Sequence, residues 1–233
     1  MNLEQARFNM IEQQIRPWEV LDQNVLSLLS TLRREDFVPH ALRALAFVDT
    51  QVPLAPAAAG MGPACMLEPK VEARLLQELQ LQRHERVLEI GTGSGFMAAL
   101  LSHRAQQVVT LECRPALAKA ARENLARNGI VNVRVVDVAA ADGARGLAGE
   151  APFDAILLSG SVPEVPRELL QQLKPGGRLA AVVGDEPVMR AVVLTRAGDK
   201  AFAERVLFDT VAPRLDGQHA LGEGLVAGTR EHH

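Results

Sequence analysis

The sequence contains no tyrosine, a single tryptophan (Trp18) and only 3% aromatic residues, so aromatic packing can contribute little to its core. Alanine, leucine and valine must fill the interior, which favours a helix-covered sheet over an aromatic-rich sandwich. The two cysteines, Cys65 and Cys113, are too few for a disulfide framework. Their scarcity favours a reducing compartment.

Long apolar runs and an excess of charge of one sign are also missing. No segment approaches the length needed to span a membrane, and the start, MNLEQARFNMIEQQIR, lacks the pattern of a signal peptide. The 25 basic and 28 acidic residues are dispersed, which disfavours nucleic acid as a partner, and the histidines lack metal-ligand spacing. We therefore expect a cytoplasmic protein with no membrane, nucleic-acid or metal partner. The oligomeric state and the origin of the final His232–His233 pair stay open.

The first third of the chain has helical periodicity. One apolar helical pattern runs from Leu3 until Pro17 ends it, and Asp22 is placed to cap a second helix. Pro53 and Pro56 predict irregular chain after that. A third helix is predicted to begin near Pro69, because proline is favoured in the first turn.

From residue 86 the pattern alternates between strands and helices. The predicted strands are RVLEIG, QVVTLE, VRVVDV, FDAILLSG and GRLAAVVG, and the helices are FMAALLSH, ALAKAARENLARNG and EVPRELLQQL. Such alternation predicts an α/β fold with a mostly parallel central sheet and helices on both faces. Two later runs, MRAVVLTR and FAERVLFDTVAP, predict antiparallel strands added at one edge.

The strongest motif is VLEIGTGSGF, residues 87–96, where a buried strand leads through three glycines into a helix. Glycines there let a ligand approach the backbone, at the sheet edge where α/β proteins bind ligands. The dinucleotide pattern G-x-G-x-x-G needs glycine or alanine at 96, and Phe96 stands there instead. Glu112 ends the second strand and can accept hydrogen bonds from ribose hydroxyls, as it would for a nicotinamide dinucleotide too. The pattern predicts a ligand site, and the glycine spacing argues against a dinucleotide.

These motifs resemble class I S-adenosylmethionine-dependent methyltransferases, and more narrowly the protein-L-isoaspartate O-methyltransferase family. The matching pieces are REDFVP (34–39), VLEIGTGSGF, ADG (141–143) with APFDAI (151–156), and VPEVPRELLQQLKPGGRLAAVVG (162–184). The resemblance implies a Rossmann-like fold with an N-terminal helical extension. It implies one methyltransferase domain over 1–226: a helical cover with the active-site loop (1–82), a cofactor-binding core (83–195) and C-terminal strands (196–226). A tail would follow at 227–233.

The resemblance also implies where S-adenosyl-L-methionine, and its product S-adenosyl-L-homocysteine, would bind. The glycine loop would surround the methionine part, Glu112 would hold the ribose, and an acid–glycine pair would lie beside the adenine. Asp137 is the alternative acid there, because the family's Gly-Asp-Gly usually comes sooner after the third strand. The implied cofactor residues are Glu89, Gly91, Thr92, Gly93, Ser94, Gly95, Glu112, Asp142 and Gly143. Cys113 is interpreted as a packed residue and not as a nucleophile.

The implied reaction is methylation of the L-isoaspartyl carboxylate in damaged proteins or peptides, which is a step of protein repair. That carboxyl group is ionised at neutral pH, so the enzyme needs positioning and not a general base. The substrate-side loop after strand four would offer the hydroxyls of Ser159 and Ser161.

The active-site loop departs from the family pattern Gln-Thr-Ile-Ser-x-Pro. Alignment on Pro69 places Cys65, Met66 and Leu67 where the family has threonine, isoleucine and serine. A leucine cannot donate to a carboxylate, so the catalytic residue is unknown. The enzyme could use other donors, methylate a different acceptor, or bind the cofactor without this reaction. Cys65, near a helix N-terminus, could have a lowered pKa and supply the polar group.

Overall fold

A computed structural model describes residues 2–58 and 60–218. Its helices are α1 (Leu3–Met10), α2 (Gln23–Thr31), α3 (Pro69–Leu79), α4 (Phe96–Ser102), α5 (Pro115–Arg127), α6 (Ala140–Gly143) and α7 (Arg167–Leu170). Its strands are β1 (Val52–Ala55), β2 (Ala64–Met66), β3 (Arg86–Ile90), β4 (Gln107–Glu112), β5 (Val133–Asp137), β6 (Phe153–Val162), β7 (Leu173–Asp185), β8 (Val188–Arg196) and β9 (Phe202–Thr210). The predicted boundary at 226 and the tail at 227–233 lie outside the described residues.

The described residues contain a seven-stranded sheet in the order β5-β4-β3-β6-β7-β8-β9. Strands β3 to β7 pair in parallel, whereas β8 and β9 pair antiparallel at one edge. The predicted α/β fold, with its parallel centre and antiparallel edge, is confirmed. Because β3 lies between β4 and β6, the carboxyl ends of these three strands meet at one edge of the sheet.

Side chains of the central strands alternate between two apolar layers. Val87 packs with the cluster that contains α1 to α5, while its neighbour Leu88 packs with the cluster that contains Leu169 of α7. Both faces of the sheet are therefore covered, as the apolar strand sequences predict.

The N-terminal cover is held together by two buried arginine–glutamate hydrogen-bonded pairs. Arg7 of α1 donates to both carboxylate oxygens of Glu35, at 2.8 and 2.9 Å. Arg34 donates to Glu72 of α3 at 2.8 Å and to the Ala46 carbonyl at 2.8 Å. These pairs join α1 and α3 to the chain between α2 and β1.

Two local predictions are wrong. The segment with Pro53 is not irregular, because β1 pairs antiparallel with β2 in a small separate sheet, where Pro53 opposes Cys65. A proline is tolerated in such a two-stranded edge. The helix predicted over EVPRELLQQL is shorter than expected, since α7 covers only Arg167–Leu170. Among the described residues, no helix is long and apolar enough to cross a lipid bilayer.

Candidate functional site

The glycine loop follows β3 at the edge where β3, β4 and β6 end. Gly91 and Gly95 have φ angles of 93° and 89°, which side chains rarely adopt. The N–H groups of Gly91 and Thr92 both donate to the Leu111 carbonyl, so the loop folds back over the end of β4. The Thr92 hydroxyl lies 2.7 Å from that of Thr110, and Ser94 accepts from the Phe96 N–H. The loop is therefore fixed before any ligand binds.

Glu112 at the end of β4 is held by the main chain. Its Oε1 accepts from the Gly93 N–H at 2.9 Å and its Oε2 from the Arg114 N–H at 3.0 Å. The side chain is 6% exposed and lines the cleft beside the glycine loop. Burial raises the pKa of Glu112, and the two N–H donors oppose that rise. Each oxygen keeps a lone pair for a further donor.

The cleft collects four of the nine predicted cofactor residues, whereas Glu89, Thr92 and Ser94 line a neighbouring pocket. The lining of the cleft includes Gly91, Gly93, Glu112, Gly143 and Ser159. Asp142 does not line it: its side chain is 61% exposed and lies 3.9 Å from Arg145. Asp137 also points elsewhere, since its carboxylate pairs with Arg122 at 2.5 Å. The structure thus brings Gly143 to the site and neither candidate acid.

The hydroxyl groups of the loop after β6 point in different directions. Ser159 lines the cleft and donates to Oε2 of Glu89 at 2.6 Å. Ser161 is fully buried and donates to the Ala212 carbonyl at 2.9 Å. Of the two predicted substrate-side residues, the structure therefore brings only Ser159 to the cleft.

The segment after β9 closes one side of the cleft. Main-chain hydrogen bonds join Ser161 to Pro213 and Leu215. The Leu215 side chain lies so close to Gly91 and Gly160 that a Cβ at either position would be within 2.9 Å of it. Glycine is thus required at Gly91 for close packing as well as for its φ angle.

Arg114 ties this segment to the rest of the cleft. It donates to both carboxylate oxygens of Asp216, at 2.8 and 3.0 Å, and to the carbonyls of Pro56 and Gly62. Cys113 donates to the same Asp216 at 3.1 Å, and burial together with this carboxylate raises the pKa of Cys113 to about 12. The thiol of Cys113 stays protonated, in agreement with its interpretation as a packed residue.

The active-site loop presents apolar side chains to the protein interior. Met66 and Leu67 are 4% and 5% exposed, and the Leu67 carbonyl accepts from Arg34 at 3.0 Å. The lowered pKa considered for Cys65 is wrong, because burial and the nearby Glu68 carboxylate raise it. Cys65 is therefore a neutral thiol at neutral pH.

Sequence reasoning missed Glu72, Arg114, Leu215 and Asp216. Glu72 carried a usable signal, since it is an acid on the helix face of α3 that buries Leu75, Leu76 and Leu79. The pairing of Arg114 with Asp216 had no local signal, because 102 residues separate them.

Comparison with known proteins gives a consistent result. The profile of the family "Protein-L-isoaspartate(D-aspartate) O-methyltransferase (PCMT)" matches residues 5–211. The chain is 46% identical over 203 residues to a protein-L-isoaspartate O-methyltransferase of Myxococcus xanthus, covering 85% of this chain and 91% of that one. It is 40% identical to the enzyme of Methanoculleus marisnigri (82% of each chain) and 36% identical to that of Brucella anthropi (94% and 97%).

Two solved structures share the fold. A protein-L-isoaspartate O-methyltransferase superposes with a TM-score of 0.78 at 24% identity, covering 98% of this chain and 70% of that one. A Plasmodium falciparum protein described as a putative member of the same enzyme class, in complex with S-adenosyl-L-homocysteine, gives a TM-score of 0.74 at 18% identity. That match covers 93% of this chain and 99% of the other.

Proposed function

This chain belongs to the protein-L-isoaspartate(D-aspartate) O-methyltransferase family, and from this premise we propose that its cleft methylates L-isoaspartyl residues of damaged proteins. The cofactor of the family is S-adenosyl-L-methionine, which supplies the methyl group from a sulfonium when bound. The observation that carries the proposal is Glu112, a buried carboxylate held by two main-chain donors beside a glycine loop.

The residues of the cleft fit this cofactor. Glu112 keeps lone pairs for ribose hydroxyls, and Gly91 and Gly93 present main-chain atoms to the cleft. Gly143 also lines the cleft, and we propose that the adenine packs there. Thr92, Ser94 and Gly95 shape the loop through their own hydrogen bonds. Asp142 and Asp137 remain candidates for the adenine amino group only if a side chain turns inward.

The chain's contribution to the reaction is positioning and exclusion of water. An isoaspartyl carboxylate is already ionised at neutral pH, so no residue has to remove a proton from it. Holding the acceptor in line with the transferred group can lower the barrier by several kcal/mol. Leu67 and Met66 contribute apolar walls to the pocket beside the cleft, and the cleft lining includes Ser159. We propose that Ser159 takes part in orienting the acceptor.

A class I methyltransferase with another acceptor is the second candidate, and Leu67 favours it. The side chain is buried and brings no donor to the loop. An acceptor less polar than a carboxylate could pack against Leu67 without leaving a buried charge unpaired.

We also propose a reducing compartment, such as the cytoplasm, as the place of action. Both cysteines of the sequence, Cys65 and Cys113, are free thiols in the structure. Thiols of this kind stay reduced in the cytoplasm.

Transfer of a labelled methyl group to a matched pair of peptides tests the function. One peptide carries L-isoaspartate and its twin carries normal aspartate at the same position. We expect methylation of the first peptide and not of the second. Equal labelling of the two, or labelling of neither by protein that binds S-adenosyl-L-homocysteine, would support the second candidate instead.

A further inference from the structure

A smaller pocket continues from the cleft past the glycine loop. Gly91 and Gly93 line both cavities, so the two are contiguous at the loop. We call this smaller cavity the acid pocket, because two carboxylic acids, Glu72 and Glu89, lie in its walls. The apolar part of the walls is formed by Leu54, Met66, Leu67, Leu75 and Met97, and the hydroxyl residues are Thr92, Ser94 and Ser159.

The two acids differ in how their oxygens are used. Glu89 is fully buried and accepts from Thr110 at 2.6 Å through Oε1 and from Ser159 at 2.6 Å through Oε2. Glu72 is 4% exposed and accepts from Arg34 through Oε1 only. Among residues 2–58 and 60–218, no hydrogen bond reaches Oε2 of Glu72. Glu72 lines the acid pocket, so this oxygen can accept a hydrogen bond from a partner bound there.

Charge in and around the pocket favours a cation as that partner. The charged or titratable groups that face Glu72 are Arg34, Glu68 and Glu89, and Glu89 also faces Glu112. The Arg34 guanidinium therefore faces more carboxyl groups than it can neutralise. Burial raises the pKa of Glu72 to about 7 and that of Glu89 to about 8, so near neutral pH Glu89 is largely protonated and Glu72 is about half protonated. A cation would draw them into the ionised state.

We propose that Glu72 binds the α-ammonium group at the amino-acid end of the cofactor, a role that rests on the proposed function of the adjoining cleft. The acid pocket opens at the glycine loop, where that end of the ligand is expected. An ammonium group has three donors, which Oε2 of Glu72 and the remaining lone pairs of Glu89 can accept. Arg34 fixes the orientation of Glu72 from the other side. Glu72 is thus a cofactor-binding residue contributed by α3, outside the glycine loop.

The test is a binding measurement that does not depend on turnover. Calorimetry compares S-adenosyl-L-homocysteine with its analogue lacking the α-amino group, on wild-type protein, Glu72→Gln and the control Glu68→Gln. Glu68 is an acid at the start of the same helix that does not line the pocket. A charge-assisted hydrogen bond predicts that wild type and Glu68→Gln prefer the natural ligand by about 10- to 100-fold. In Glu72→Gln that preference should fall most of the way to unity.

A pH series gives an independent readout. Because binding ionises the acid pocket, wild-type protein should release protons on binding near pH 7, and its affinity should rise between pH 6 and 8. Glu72→Gln should release fewer protons. If Glu72→Gln does not fold, Glu72→Asp and the two-ligand comparison on wild type still decide the matter.

Three results would overturn the inference. The analogue could bind wild type as tightly as the natural ligand. Glu72→Gln could weaken both ligands equally, which would indicate a purely structural role. Glu72→Gln could leave both affinities unchanged while raising KM for the isoaspartyl peptide, which would place Glu72 at the acceptor. Failure of wild type to bind S-adenosyl-L-homocysteine at all would instead contradict the proposed function.

Discussion

Glu112 is oriented by two main-chain N–H groups, and this orientation distinguishes it from the many exposed acids of the chain. We expect Glu112→Gln to weaken binding of S-adenosyl-L-homocysteine by about 10- to 100-fold, the size of one lost hydrogen bond to a charged group. Isothermal calorimetry measures this. Glu123→Gln, an exposed acid on α5, should bind like wild type. Unchanged affinity in Glu112→Gln would remove the ribose-binding role from this residue.

Leu67 stands where the family pattern has a serine. Leu67→Ser shortens a buried side chain, so we expect the free energy of unfolding to fall by about 2–4 kcal/mol. The new hydroxyl adds a donor in the acid pocket beside the cleft, so kcat/KM for the isoaspartyl peptide should rise at temperatures well below the melting point. Leu79→Ser is the matched control, since Leu79 is buried on α3 without lining the acid pocket. Leu79→Ser should lose stability without a gain in kcat/KM. A drop in turnover of folded Leu67→Ser would argue against an orienting role at this position.

The loop after β6 and the segment after β9 form one unit through Ser161. Ser161→Ala leaves the buried Ala212 carbonyl without its side-chain donor, and we expect a loss of about 1–3 kcal/mol in the free energy of unfolding. Cofactor affinity should stay unchanged, because main-chain hydrogen bonds still hold the segment. Ser159→Ala is the contrasting variant: it also costs stability, because it removes a donor to buried Glu89, but it should in addition lower kcat/KM. Lower kcat/KM in Ser161→Ala at full stability would return Ser161 to the substrate side.

The regular elements were predictable where periodicity and sequence neighbours decide the structure. The limits of β4 match QVVTLE, and Asp22 caps α2 by accepting from the Asn24 N–H. The β1–β2 hairpin was missed because its pairing depends on the chain between Ala55 and Ala64 folding back. Lys70, in the first turn of α3, pairs with Asp49 and lies 4.4 Å from the centre of the Trp18 ring. Contacts between distant segments leave no periodic trace in the sequence.

In the site, too, the residues placed by local sequence were predictable and those placed by distant contacts were not. Glu112 was predictable because a strand end places it, and Gly143 because a short motif marks it. The acid pocket between α3 and the glycine loop could not be predicted. The role of Glu72 depends on its contacts with Arg34 and Glu89, which lie elsewhere in the sequence.

Stability of the whole molecule should depend on pH through its buried acids. Glu72 and Glu89 have pKa values of about 7 and 8 in the folded protein, above the value near 4.3 of an unfolded glutamate. Unfolding therefore releases protons between about pH 4.5 and 8, and stability falls as the pH rises through that window. Glu35, Glu78 and Glu85 have lowered pKa values, so their contribution is lost as the pH falls below about 4.3. His103, with its lowered pKa, opposes the first trend near pH 6.

We expect the melting temperature of the ligand-free protein to be highest near about pH 5 and to drop by several degrees by about pH 8. Differential scanning calorimetry across this range measures it, and Glu72→Gln should show a shallower decline because one of the two acids is removed. A melting temperature that stays level or rises from pH 5 to 8 would contradict the assignment of Glu72 and Glu89 as buried neutral acids.

The central claim is that one cleft, at the carboxyl ends of β3, β4 and β6, receives the cofactor. A crystal structure of the complex with S-adenosyl-L-homocysteine tests it most directly. The account predicts the ribose hydroxyls within hydrogen-bonding distance of Glu112, the adenine near Gly143 and the amino-acid end at the glycine loop. A ligand bound elsewhere, or a ribose that leaves Glu112 without contact, would contradict it.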